Sequence, residues 1–206
     1  GKLVAAAGAK KVLVHYGSGS AKKSGLLDKV TACLDAENIP WVELGGVSAN
    51  PELPLVREGI ALCMAENVDF VLAVGGGSVL DSAKAIGYGV TNEGDVWDFY
   101  DYKREAKACL PIGVILTLSA TGSEMSDSSV ITKEEGMIKR GASGEAYRPK
   151  FSILNPALTQ TLPAYQTACG APDIMAHVFE RYFTNTKEVE ITDRLCEAVL
   201  LTMIKE

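Results

Sequence analysis

The stretch "LAVGGGSVLDSAKAI" (residues 72–86) sets three consecutive glycines between two apolar segments of different period. Before it, "VDFVLAVG" (68–75) is a short continuous apolar run, the pattern of a strand covered on both faces. After it, "VLDSAKAIGYGV" (79–90) repeats its apolar residues at helical spacing. In open parallel sheets, ligands sit outside the carboxyl ends of strands, where a loop opens the next helix. Glycines there remove Cβ atoms and bare the backbone N–H groups, and the helix adds its positive N-terminus. The combination suits a pyrophosphate held by Gly76, Gly77 and Ser78, with Asp81 one turn further in reaching a polar group of the same ligand. The plainer alternative is a tight strand-to-helix turn with Ser78 as the N-cap.

Working outward, strand and helix patterns alternate. "KVLVHYG" (11–17), "PWVELGG" (40–46), "VDFVLAVG" (68–75) and "LPIGVILTLS" (110–119) read as strands. Between them, 24–38, 50–67 and 79–90 read as helices, with Asn50 as N-cap and Pro51 at the first position of the second. This alternation predicts an α/β fold: a Rossmann-like parallel sheet with helices on both faces. Residues 128–142 read as a hairpin turning at Glu134-Glu135-Gly136 and appended to that sheet, and 151–163 as a last short strand followed by a turn. From Ala164 the pattern is helical only. The sequence therefore predicts a dinucleotide-binding domain over 1–155 and the beginning of a helical domain over 156–206. The last helical pattern runs to Glu206 without a C-cap signal, so an incomplete helical domain, truncated at that end, is expected.

Composition excludes several partners. The net charge is −6 and no basic stripe exists beyond Lys10-Lys11 and Lys22-Lys23, so nucleic acid is not expected. The longest apolar runs are far too short to span a bilayer, and no signal peptide is visible. Cys33, Cys63, Cys109, Cys169 and Cys196 are odd in number, scattered and without a CxxC, which fits reduced thiols in the cytoplasm.

Two further loops follow strands. "YGSGSAKKSG" (16–25) brings Ser18, Gly19 and Ser20 to the end of the first strand. NAD-selective sites place an acid near there for the ribose 2′-hydroxyl; residues 15–24 hold none, and Lys22 and Lys23 favour a 2′-phosphate. "TLSATGSE" (117–124) offers several hydroxyls for an amide or ribose. Separately, "GAPDIMAHVFE" sets Asp173 and His177 four residues apart, on one face of a helix. A carboxylate and an imidazole so placed suit a divalent transition metal, or form a simple helix-face hydrogen bond. His15 lies inside the first strand and reads as packing.

Taken in order, "YGSGSAKKSG", "VLAVGGGSVLDSAKAI", "TLSATGSEMSDSSVIT" and "DIMAHVFERYF" resemble the iron-containing (group III) alcohol dehydrogenases, within them the butanol dehydrogenase-like branch. The resemblance covers essentially the whole chain; the third block departs from the commoner Thr-Thr-Ala-Gly-Thr-Gly-Ser-Glu at Leu118 and Ser119. It implies a metal-dependent hydride transfer between NADP (or NAD) and a primary alcohol or aldehyde. Fe²⁺ (or Zn²⁺) would be held by one Asp and three His, the first two being Asp173 and His177 and the others lying outside this chain. By the same resemblance Gly76, Gly77, Ser78 and Asp81 hold the pyrophosphate and nearby ribose. Thr117, Thr121 and Ser123 line the nicotinamide side, Lys139 contacts the cofactor, and Ser18, Gly19 and Ser20 face the adenosine ribose. The partners implied are a small alcohol or aldehyde and a second copy of the chain, in a cytoplasmic homodimer. Two other readings stay open: a cofactor-binding chain without turnover, and a lyase on the same scaffold like dehydroquinate synthase.

Overall fold

The computed structural model describes residues 1–206. In chain order its elements are α1 (Lys2–Ala6), β1 (Val12–Gly17), α2 (Ser20–Lys23), α3 (Leu26–Asp35), β2 (Trp41–Val47), α4 (Leu53–Glu66), β3 (Phe70–Gly75) and α5 (Gly77–Thr91). Then come α6 (Trp97–Tyr100), β4 (Ile112–Leu116), β5 (Ser128–Lys133), β6 (Ile138–Ser143), β7 (Phe151–Ile153), α7 (Ala164–Tyr182) and α8 (Glu190–Lys205). The chain divides into two compact units, Gly1–Thr159 and Gln160–Glu206.

In the first unit, five parallel strands pair in the order β2-β1-β3-β4-β7. Strand alternation assigns the two faces. Val12, Val14, Tyr16, Phe70, Leu72 and Val74 pack under α1 and α3, against Val4, Leu27, Val30 and Leu34. Leu13, Val71, Ala73, Val114 and Leu116 pack under α4 and α5, against Val56, Leu80, Ala83 and Ile86. Covering both faces is what lets β3 be apolar at every position. The order reverses between β1 and β3, where Tyr16 is in register with Val74. Such a switch point opens a crevice outside the strands' carboxyl ends. Both glycine loops, 17–20 and 75–78, leave the sheet at that point.

Three local expectations need correction. α4 begins at Leu53, with Glu52 in the N-cap position and Pro54 in the first turn; Asn50 is not its cap. Asn50 instead adopts a left-handed conformation (φ 59°), and the Pro51 carbonyl accepts a hydrogen bond from the Thr132 N–H at 2.9 Å. Residues 51 and 52 are thus held by β5, where Glu52 bridges Thr132. α5 begins at Gly77 with extended Gly76 as N-cap, so Ser78 lies inside the first turn and makes no capping bond. The hairpin β5–β6 forms a separate two-stranded sheet. The place beside β4 is occupied by β7 through Gly113↔Phe151, which leaves the hairpin to pack on α5. The short α6, inside a stretch without periodic signal, brings Tyr100 into an aromatic cluster with Tyr88, Tyr147 and Trp97.

The second unit is the pair α7 and α8. Arg194 bridges Glu190 and Glu197, both at 2.9 Å, and Tyr182 donates to Glu197 at 3.1 Å. Ile191, Leu195, Leu201 and Ile204 on α8 are exposed.

Candidate functional site

What crowds the glycine run is first of all the chain itself. A Cβ at Gly75 would stand 2.5 Å from Val79 Cγ2, at Gly76 3.3 Å from Leu118 Cβ, and at Gly77 2.2 Å from Thr121 Oγ1. The bare positions let the segment after β4 lie against the start of α5. Between these elements and the hairpin is a cavity of about 230 Å³. Gly77, Ser78, Asp81, Thr121, Ser123 and Lys139, all singled out in the sequence, line it. Gly76 and Thr117 do not line it; the Thr117 N–H donates to the Gly75 carbonyl at 3.0 Å. Ser126 and Ser128 also line the cavity and were not singled out, and so does Asn50, which the sequence offered only as a helix cap.

The cavity wall is held by two charged side chains of α5. Asp81 Oδ1 accepts from Ser123 Oγ at 2.7 Å and Oδ2 from the Val130 N–H at 3.1 Å. Burial raises its pKa; the bonds from Ser123 and Val130 and the nearby Lys84 and Lys139 ammonium groups oppose that rise. Lys84, fully buried, donates to the carbonyls of Ser123, Ser126 and Ser128 at 2.7, 2.9 and 2.9 Å and meets the hydroxyls of Ser123 and Ser126 at 3.0 and 3.1 Å. Burial pushes its pKa down to about 8, against the attraction of Asp81 and Asp127. The Ser123 hydroxyl therefore gives its one proton to Asp81 and a lone pair to Lys84; toward a ligand it is an acceptor. At the cavity mouth, Lys139 Nζ donates to Asn50 Oδ1 at 2.7 Å and stays exposed.

Sequence reasoning missed Lys84. The available signal was a lysine flanked by alanines and an isoleucine, three residues after Asp81 in a helix without an exposed face. It also missed an acid near the first loop. Lys22 lies 3.9 Å from Glu43 of β2, and both are largely exposed, so the lysine does not stand alone there. Ser18, Gly19 and Ser20 lead from β1 into α2 and do not line the cavity. His15 is fully buried in β1. Its Nδ1 donates to the Leu44 carbonyl at 2.8 Å and its Nε2 accepts from Ser82 Oγ at 2.9 Å. Burial lowers its pKa to about 4, with the Leu44 bond opposing.

On α7, Asp173 Oδ2 and His177 Nε2 stand 3.9 Å apart, 62% and 66% exposed. Two ligands of one cation at ordinary bond lengths lie about 3–3.5 Å apart, so a small rotamer change lets this pair share an ion. The donor types fit a divalent metal, but no three His, Cys, Asp or Glu side chains cluster to hold one. All five cysteines are free, and no helix is long and apolar enough to cross a membrane.

Comparison with known proteins bears on this arrangement. The chain is 47% identical over 195 residues to NADH-dependent butanol dehydrogenase A of Clostridium acetobutylicum, covering 95% of this chain and 50% of that protein. It is 37% identical over 199 residues to the NADPH-dependent aldehyde reductase YqhD of Escherichia coli, covering 95% and 51%. The crystal structure of NADH-dependent butanol dehydrogenase A from Thermotoga maritima superposes with a TM-score of 0.93 at 44% identity, covering 99% of this chain and 51% of that one. The chain thus spans about half the length of the relatives it matches. A family model described as iron-containing alcohol dehydrogenase matches residues 1–156, and the chain belongs to that family.

Proposed function

We propose that this chain carries the cofactor site and part of the metal site of an oxidoreductase that moves a hydride between NAD(P)(H) and a primary alcohol or aldehyde. The observation that supports the reading most is the cavity at the start of α5, with Lys139 at its mouth and the hydroxyl segment as its wall. In this reading the N–H groups of Gly77 and Ser78 and the Lys139 ammonium bind the pyrophosphate, with Gly76 keeping the approach open. Asp81 orients Ser123, and Thr117, Thr121 and Ser123 line the nicotinamide side. Ser18, Gly19 and Ser20 take the adenosine ribose. The Lys22–Glu43 pair offers that ribose a cation and an anion together, so NADPH and NADH are both accommodated. Asp173 and His177 would hold a divalent ion, iron or zinc. When bound, the nicotinamide supplies the hydride acceptor and the metal a Lewis acid for the alcohol oxygen.

The working protein on this reading is a homodimer in the reducing cytoplasm; the five free thiols support the compartment, and light scattering tests the dimer. The test of the cofactor site is fluorescence titration with NADH and NADPH. Saturable binding that weakens about ten-fold in Lys139→Ala fits a phosphate contact; no binding of either dinucleotide overturns the reading. Having only two metal ligands favours binding without turnover for the chain as it stands. Butyraldehyde reduction by this chain with added Fe²⁺ or Zn²⁺ is expected to be negligible, and robust metal-dependent turnover would overturn that.

A further inference from the structure

We propose that Lys84 is the positioning residue of the cofactor cavity: its ammonium, buried behind the wall, sets residues 123–128 in the shape that binds the dinucleotide. The inference rests on the cofactor reading above and assigns that site a group which never touches the ligand.

The geometry carries it. Ser123, Ser126 and Ser128 all line the cavity, and each also turns an oxygen toward the same Nζ on its far side. Five oxygens lie within 3.1 Å of a group that has three protons. The segment between β4 and β5 has no sheet ladder. Within itself the segment has the turn in which Met125 and Ser126 donate to Gly122, both at 3.0 Å. From outside, Ser152, Arg148 and the Gly144 N–H hold the carbonyls of Glu124, Met125 and Asp127, so that the Ser123, Ser126 and Ser128 carbonyls are left to Lys84. A buried cation ringed by carbonyls supplies the cohesion that regular structure would otherwise give.

Position on the helix matters as well. Gly77 and Ser78 at the start of α5 form one side of the cavity, and Lys84 extends from the same helix two turns later. One rigid element therefore fixes both the helix N-terminus and the wall opposite it. Ser123 is gripped twice, by Asp81 and by Lys84. The charged or titratable groups facing Lys84 are Asp81 on its own helix, Glu124 and Asp127 on the segment, and Cys109 before β4. Cys109 is pushed up to about 12 by burial, so it stays a neutral thiol where Lys84 loses its proton.

Deprotonation removes the charge and one donor from the centre of the ring. Dinucleotide affinity should then decline as pH rises through about 8. The experiment measures NADH affinity by fluorescence on the whole chain from pH 6.5 to 9.5, for the unmutated protein, Lys84→Met and Lys84→Arg. Hydrogen-exchange protection of residues 122–128, the intrinsic rate at each pH divided by the observed one, is followed in parallel. The unmutated protein should weaken about ten-fold over that range, with the protection of 122–128 falling in step. Lys84→Met should bind weakly at every pH, without the inflection. Lys84→Arg should remove the inflection and recover part of the affinity. If Lys84→Met does not fold, the pH series on the unmutated protein still decides, because protection and affinity must move together. Affinity and protection that stay flat across the range, or a folded Lys84→Met that binds normally, overturn the proposal while leaving the cofactor reading intact. Absence of NADH binding at any pH overturns the cofactor reading itself.

Discussion

Gly77→Ala tests most directly how the glycine run works. The new Cβ would stand 2.2 Å from Thr121 Oγ1, 2.5 Å from its Cγ2 and 2.9 Å from its Cβ. Rotating χ1 of Thr121 moves the first two atoms and leaves the third. It also breaks the bond that Oγ1 accepts from the Ser123 N–H at 3.3 Å. Carbon atoms pack comfortably at about 3.5–4 Å, so the backbone at 121 has to retreat by roughly half an ångström to an ångström. Overpacking of this size costs about 1–3 kcal/mol, and alanine returns up to about 1 kcal/mol of helix propensity. Net destabilisation should therefore be small, about 0–2 kcal/mol. Because Thr121 and Gly77 touch each other and both line the cavity, the displacement should cost NADH affinity about ten-fold, equivalent to about 1.4 kcal/mol. Thr121→Gly removes all three clashing atoms. The assay is a double-mutant cycle read by NADH fluorescence, with thermal unfolding as the control. Gly77→Ala/Thr121→Gly should bind within about three-fold of Thr121→Gly alone, a coupling of about 1 kcal/mol. Additive effects, or a Gly77→Ala protein that binds NADH normally, would refute the close-approach argument.

Three other outcomes follow from the same structure. His15 is held neutral by burial, with a pKa of about 4 against 6.5 in the unfolded chain. Protons then bind the unfolded state preferentially, so this contribution to stability is complete above pH 6.5 and is lost as pH falls through 4. The loss totals about 3 kcal/mol, and urea titrations from pH 7 to 4 should show a shallower decline in His15→Asn. Lys139→Gln should weaken NADH binding and flatten its dependence on salt between 0.05 and 0.5 M, an exposed cation at a phosphate being screened; an unchanged salt slope places the phosphates elsewhere. Calorimetry with Zn²⁺ should find only weak binding to this chain, abolished in Asp173→Ala and in His177→Ala, because two exposed ligands hold a cation poorly. Tight binding that survives both substitutions points to other ligands.

Much of the sheet was legible in the sequence because β1, β3 and β4 are covered on both faces, and unbroken apolar runs follow directly from that. Of the six cavity residues expected from the sequence, Gly77, Ser78 and Asp81 were legible because small and polar residues where an apolar strand meets a helix are unusual; Thr121, Ser123 and Lys139 came from the resemblance to the family. Lys84 was not, since a lysine in a helical pattern reads as solvated until the opposing serine carbonyls are known. Glu43 was missed because it lies on the neighbouring strand, beyond the residues searched around the first loop. The placement of the hairpin depended on β7 claiming the sheet edge. That competition is settled by tertiary pairing between residues about forty positions apart and leaves no local mark.

The fit between Gly75–Gly77 and the Leu118–Thr121 segment has a consequence for anyone who would transplant this motif. A graft of the strand, the glycines and the helix into another scaffold would carry only one half of a two-part joint. Without a matching second segment, the three missing side chains would leave a groove with nothing seated in it. A successful transfer should need both pieces moved together, and the lysine that fastens the second to the first.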